Sequence, residues 1–346
     1  MNNPLRLLLQ SRIRQKKSSS ITSEQGFTMV ELLVGAIVAF LIMGPLLGFV
    51  VNILNDDKRE GVKAATEQEL QTALDYIKSD LNQAVYIYDS KGIETLAKNA
   101  NPVFPTAQGN PVLVFFKRKF IEDGIDVSGC TPAGEKVCQD DTHVLSLVAY
   151  YLEQRTTNAW CPSRSNCPAQ ITRFEVQDGV RDPTSGDYVC GALTGIDGCD
   201  EEASRKRSEG FPTTIDTANL TNLVKPEDFE NTPEVLVNYI DATTANVPEL
   251  VECVTPGIKK DNGIEKRGFT NEAEAKAAMT SNPGKINGNN PNSFYACIDT
   301  FTNTAQVYVR ANALRRIQED ADYDADKSTF FPISSIQVKG ISGFGD

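Results

Sequence analysis

Histidine is all but missing from this sequence, with His143 standing alone, and no cysteine occurs before Cys130. A single histidine removes the commonest general base and metal ligand. The one histidine-based nucleophile pair, His143 and Ser146, has a spacing of three, which on a strand puts the two side chains on opposite faces. No catalytic residue is therefore assigned, and the chain reads as a non-enzyme. No Cys-x-x-Cys occurs, so zinc lacks its usual ligand set. The Gly-x-x-x-x-Gly-Lys-(Ser/Thr) phosphate loop is also lacking, so ATP hydrolysis would have to come from another chain. Positive charge is scarce, with 34 Lys and Arg against 46 Asp and Glu for a net charge of −12. That balance argues against general nucleic-acid binding, which needs a basic surface.

What the sequence does have is one long run without charge. Leu32 to Val51 spans twenty residues with no polar side chain, the length that crosses a bilayer core as a helix. A single carboxylate, Glu31, stands at its entrance. An acid at that depth costs roughly 2.5–3.5 kcal/mol unless partnered, which makes it a functional-site candidate. Inside the run, Gly44 and Pro45 predict a helix kink or local melting, because proline removes a backbone donor and clashes with the preceding turn; a tolerated kink without function is the alternative. Arg6, Arg12, Arg14, Lys16 and Lys17 precede the run and Asp56 and Asp57 follow it. Basic flanks stay cytoplasmic, so the N-terminus is expected inside and the remainder outside.

The residues Gly26-Phe27-Thr28-Met29-Val30-Glu31, joined to that run, resemble the class III signal of type IV prepilins and pseudopilins. The resemblance implies cleavage between Gly26 and Phe27 by a prepilin peptidase that also N-methylates Phe27. It implies that Glu31 neutralises the amine of a neighbouring subunit during assembly. The implied partners are other pilins and pseudopilins, an inner-membrane platform and its ATPase. Removing residues 1–26, which carry a net +4, would leave −16. The alternative is an uncleaved signal anchor with a chance acid at its edge.

Beyond Asn52, Val62, Leu70, Leu74, Ile77, Leu81 and Val85 recur at helical spacings. One helix from Phe27 to about Tyr88 is expected, with a membrane half at 27–51 and an amphipathic half at 52–88; strict heptads are not sustained, which disfavours a coiled-coil stalk. Residues 89–110 hold turn formers and read as a connector. Strand-like runs follow at Pro111–Arg118, His143–Leu152, Ile171–Val176, Phe294–Asp299 and Gln306–Arg310. The fold class is therefore α+β, pilin-like: a long helix packed on a mostly antiparallel sheet, with an ectodomain over 89–346. A polar segment, about 177–293, reads as a disulfide-stapled insertion or a surface excursion. Within it Glu272–Met279 is a candidate helix and Glu234–Tyr239 a candidate strand or helix.

All eight cysteines lie beyond the apolar run, an even count that reads as disulfides made in an oxidising compartment. Close spacing suggests Cys130 with Cys138, Cys161 with Cys167 and Cys190 with Cys199; elimination leaves Cys253 with Cys297. Asp320, Asp322, Asp324 and Asp326 alternate like the start of a calcium loop. Ala325, however, stands where glycine should turn the chain, and Phe331 stands where the bidentate acid belongs. A calcium site there is the one cofactor candidate; a solvated acidic turn is its rival. Tyr150-Tyr151-Leu152 and Ile171-Thr172-Arg173-Phe174 are similar to larger minor pseudopilins of the secretion J-like and pilus W-like group. Cyanobacterial pseudopilins of polysaccharide export and gliding look like this too. The function expected is a structural subunit of a pilus-like filament for export or motility; a tethered adhesin or substrate receptor is the alternative.

Overall fold

The computed structural model describes residues 27–107, 109, 111–127, 138–154, 167–189, 205–217, 219–251, 253, 283–286, 289–300 and 302–341. The chain forms two compact units, one ending at Asp57 and the other starting at Lys58. Helix α1, Met29–Asn82, supplies residues to both.

In the first unit the helix is exposed and, from Leu32 to Val51, uniformly apolar: Phe40 is 84% and Leu41 70% accessible. One helix is thus long and apolar enough to cross a membrane. It runs through Gly44 and Pro45 as one continuous helix.

In the second unit α1 buries Leu70, Ala73, Leu74, Ile77 and Leu81 along one stripe, as helical periodicity requires. It ends six residues earlier than Tyr88. Ala84–Ile87 instead form strand β1, paired antiparallel with β2 through Ile87↔Phe115. Helix α2, Ser90–Lys98, then occupies part of the stretch read as a connector. Asp89 caps it, accepting a 2.7 Å bond from the Gly92 backbone N–H, and Ile93 and Leu96 face inward.

Five antiparallel strands make the larger sheet in the order β1-β2-β3-β4-β5. After β1 these are β2 Leu113–Asp126, β3 Gln139–Gln154, β4 Ala169–Gln177 and β5 Glu234–Ile240. A second sheet holds β6 Phe294–Asp299, β7 Thr304–Arg310 and β8 Ile333–Lys339. The α+β class and the antiparallel pairing hold, with the strands among the described residues divided between two sheets.

Both faces of the larger sheet are covered. One core joins the α1 stripe to Phe115, Val148, Tyr150 and Ile171, and also to Phe294, Ala296, Val307 and Val338 of the smaller sheet. The other joins Phe116, Leu147, Tyr151 and Phe174 to α2 and to Phe211, Leu220 and Leu223. Double burial explains why Leu113–Phe116 of β2 and Leu147–Leu152 of β3 are continuous apolar runs instead of alternating. Segment 177–293 contributes β5 and, outside it, the core side chains Phe211, Leu220, Leu223 and Ile286. The candidate helix Glu272–Met279 lies outside the described residues.

Polar side chains tie the two sheets together. Asn303, in the β6–β7 turn, accepts from the Ile87 N–H at 3.1 Å and donates to the carbonyls of Ala84 at 3.0 Å and Ile341 at 2.8 Å. The buried Arg310–Asp241 pair, at 2.9 Å, fixes the end of β5 to β7. Its guanidinium also donates to the carbonyls of Pro291 and Asn292, which satisfies a charge that would otherwise be expensive to bury.

Candidate functional site

The first candidate lies where the apolar helix begins. Thr28 occupies the N-cap position: the Glu31 N–H lies 3.3 Å from its Oγ1 and 3.0 Å from its carbonyl, and the Leu32 N–H bonds that same carbonyl at 3.1 Å. Thr28-Met29-Val30-Glu31 has the spacing of a capping box, and Phe27 and Leu32 have that of the apolar staple across it. An acid in the first turn also sits at the positive end of the helix dipole. Among the described residues the Glu31 carboxylate has no side-chain partner, and Phe27 is 80% exposed. This arrangement presents one fixed negative charge at the start of an uncharged helix, and a cation is the chemistry that fits it. Gly26 lies outside the described residues.

The second candidate was not anticipated as a site. Asp80, on the buried stripe of α1, places Oδ1 2.7 Å from Lys117 Nζ of β2. Its Oδ2 accepts from the Tyr150 hydroxyl of β3 at 2.7 Å and from Arg173 Nε of β4 at 2.8 Å. Arg173 continues to Glu175 at 2.6 Å, and Glu175 accepts from Ser146 at 2.6 Å. One helix carboxylate thereby fastens three strands. Burial pushes the Glu175 carboxyl up, but the charges of Arg173, Lys117 and Lys119 and the Ser146 hydrogen bond outweigh it and bring it down to about 2. The Tyr150 hydroxyl is pushed well above its ordinary value, first by burial and then by the negative charge of Asp80. Burial disfavours the charged form of Arg173, yet Glu175, Tyr150 and Asp80 together raise it. The network is a fixed structural lock in which Arg173 and Glu175 are held charged and Tyr150 neutral. The sequence did carry a signal for it: Asp80 sits three residues after Ile77, on the apolar side of the helix.

The other predicted residues are dispersed. Cys253 and Cys297 are joined, tying the segment after β5 to β6. Cys138 and Cys167 are disulfide-bonded; the expected mates Cys130 and Cys161, and both Cys190 and Cys199, lie outside the described residues. The four aspartates do not converge on a cation. Asp322 is taken by Arg315 at 2.7 Å and Asp324 caps the short 3₁₀ helix Ala325–Phe330. Among the described residues no group of three or more His, Cys, Asp or Glu is placed to hold a metal. His143 is exposed against Phe120, with ring centroids 5.4 Å apart, whereas Ser146 is buried and bonded to Glu175.

No family model, curated protein or solved structure matches this chain.

Proposed function

We propose that this chain is a pilin-like structural subunit, a minor pseudopilin of an export or motility filament. In this reading it is cleaved after Gly26, N-methylated at Phe27 and assembled through Glu31. The observation that carries the reading is the join between the capped motif Phe27-Thr28-Met29-Val30-Glu31 and an uncharged, exposed helix continuous through Val51. A helix of that kind needs lipid or other helices around it, since water cannot solvate so much apolar surface cheaply.

The mechanism is physical rather than catalytic. Cleavage creates an α-amino group at Phe27, and the Glu31 carboxylate of an incoming subunit pairs with it inside an apolar bundle. A register that left either charge alone would bury an unpaired ion, so one stagger is selected. The peptidase with its methyltransferase activity, the other pilins, the inner-membrane platform and the ATPase are partners of this reading. So is a location in the cytoplasmic membrane with the second unit outside. Helix α1, its buried stripe and the antiparallel sheet beneath support it as a compatible architecture.

The test is the intact mass and N-terminal sequence of membrane-extracted protein, from cells with and without a prepilin peptidase. The expected product starts at N-methyl-Phe27 and depends on that enzyme. An unprocessed Met1 start in both strains would leave a tethered receptor or adhesin and overturn the filament reading.

A further inference from the structure

Three buried side-chain oxygens of the second unit have no hydrogen-bond partner: Glu153 Oε1 of β3, and Gln170 Oε1 and Thr172 Oγ1 of β4. They belong to neighbouring positions. Glu153 and Gln170 stand directly opposite each other in the β3–β4 register, and Thr172 follows two residues along β4 on the same face, opposite Tyr151. Gln170 Nε2 donates to Glu153 Oε2 at 3.2 Å, which holds those two side chains together and leaves Oε1 of each unbonded. The nearest donor on the face is already spent, because the Tyr151 hydroxyl donates to the Pro105 carbonyl at 2.9 Å. Gln170 is 6% and Thr172 1% exposed, whereas Glu153 is half-buried, so solvent approaches the group at the Glu153 end.

A buried polar atom without a bond forfeits its hydration, and folded chains hold few of them. Three on adjacent positions of one strand pair point to a shared cause. Their chemistry restricts it. Glu153 Oε1 and Gln170 Oε1 only accept, so neither satisfies the other, and the Thr172 hydroxyl can donate to one partner at most. A carboxylate, an amide carbonyl and a hydroxyl are together the oxygen set that hard cations take. Charge then fixes the valence. Glu153 makes no ion pair among the described residues and is the one acid of the three, so a single positive charge balances it. A divalent ion would leave an excess charge beside the apolar core of Tyr151 and Phe174, at the desolvation cost of an unpaired buried ion. A bridging water would bond the oxygens and leave the carboxylate charge unanswered. That charge is felt on this face: the Tyr151 hydroxyl is pushed well above its ordinary value, first by burial and then by Glu153.

We infer that Glu153, Gln170 and Thr172 form a binding site for one small monovalent cation, of which Na+ is the hard-oxygen example. Binding there pins β3 to β4 where both strands run into the loop between them. The inference stands on the second unit alone and does not require processing at Gly26.

The experiment follows thermal unfolding of the full chain in a non-ionic detergent, with NaCl replacing choline chloride at constant ionic strength. Raising Na+ from about 1 to about 300 mM should lift the melting temperature of the second unit by about 3–6 °C, as linkage to a site of roughly 10 mM affinity requires. Glu153→Gln keeps the shape and removes the charge, and should abolish the sodium dependence. Thr172→Val removes only the hydroxyl and should at least halve it. Sodium-23 line broadening by the unsubstituted chain reads binding without relying on how either variant folds. Absence of the sodium-dependent stabilisation, or of the broadening, overturns the inference, with water alone then meeting the three oxygens. A sodium effect that survives Glu153→Gln also overturns it, and so does a larger stabilisation by Ca2+ than by Na+ at equal concentration.

Discussion

Helix α1 carries two acids among apolar residues, and they have opposite surroundings. Glu31 stands at the exposed start of an uncharged segment with no side-chain partner among the described residues. Asp80 is 5% exposed and bonds side chains of three strands. A carboxylate kept ionised in an apolar setting needs cations or donors around it. At Asp80 the chain supplies them; at Glu31 no described side chain does. The difference separates a charge that makes the fold from one that the proposed function assigns to association.

Removing the partnered acid should have the largest effect. Asp80→Ala leaves Lys117 and Arg173 short of a buried counter-charge, at an expected cost of about 3–5 kcal/mol. Thermal unfolding of the second unit should drop by about 10 °C or more; a drop within 2 °C would mean the network is incidental. Removing the unpartnered acid should do the reverse. Glu31→Leu should leave that melting temperature within about 1 °C while filaments, counted by microscopy, fall at least ten-fold, in line with the roughly 2.5–3.5 kcal/mol at stake for an acid at membrane depth. An equal loss of folding would erase the contrast.

Acid titration sharpens it further. Glu175 is held at about 2 against an ordinary 4.5, so its contribution is fully present above about pH 5 and lost as pH falls towards 2. The loss should be on the order of 2–3 kcal/mol. Chemical denaturation across that range should show a decline that Glu175→Gln flattens. The smallest effect concerns the helix start: Thr28→Val should cost about 1 kcal/mol. Hydrogen exchange at Glu31 and Leu32 should quicken about five-fold with no change at Asp80.

The same contrast explains what was legible in the sequence. The motif around Glu31 occupies six consecutive residues, so pattern alone exposes it. Asp80 meets Lys117, Tyr150 and Arg173 across separations of 37, 70 and 93 residues, and only the fold brings them together. β3 was readable because double burial writes the continuous apolar run Leu147–Leu152, and β4 because Ile171, Phe174 and Val176 mark it as β-prone. β1 was not, because Val85 extends the periodicity of Ile77 and Leu81; pairing with β2 and the bonds from Asn303 override that local preference. α2 was hidden by Ser90 and Gly92, which read as a turn until Asp89 is seen to cap them. β8 begins Ile333-Ser334-Ser335, too short an apolar signal by itself, and is fixed by register with β7.

The hydrogen bonds of Asn303 bear on the order in which the molecule can be finished. A ribosome makes α1 and β1 long before it makes the turn that satisfies the backbone of Ala84 and Ile87. Val338 of β8, which completes the shared core, comes later still. Until those residues arrive, the edge of β1 is unpaired and the α1 stripe is incompletely covered, a condition that invites pairing with the wrong chain. Nearly the whole second unit must therefore be translated before the core shared by its two sheets can close.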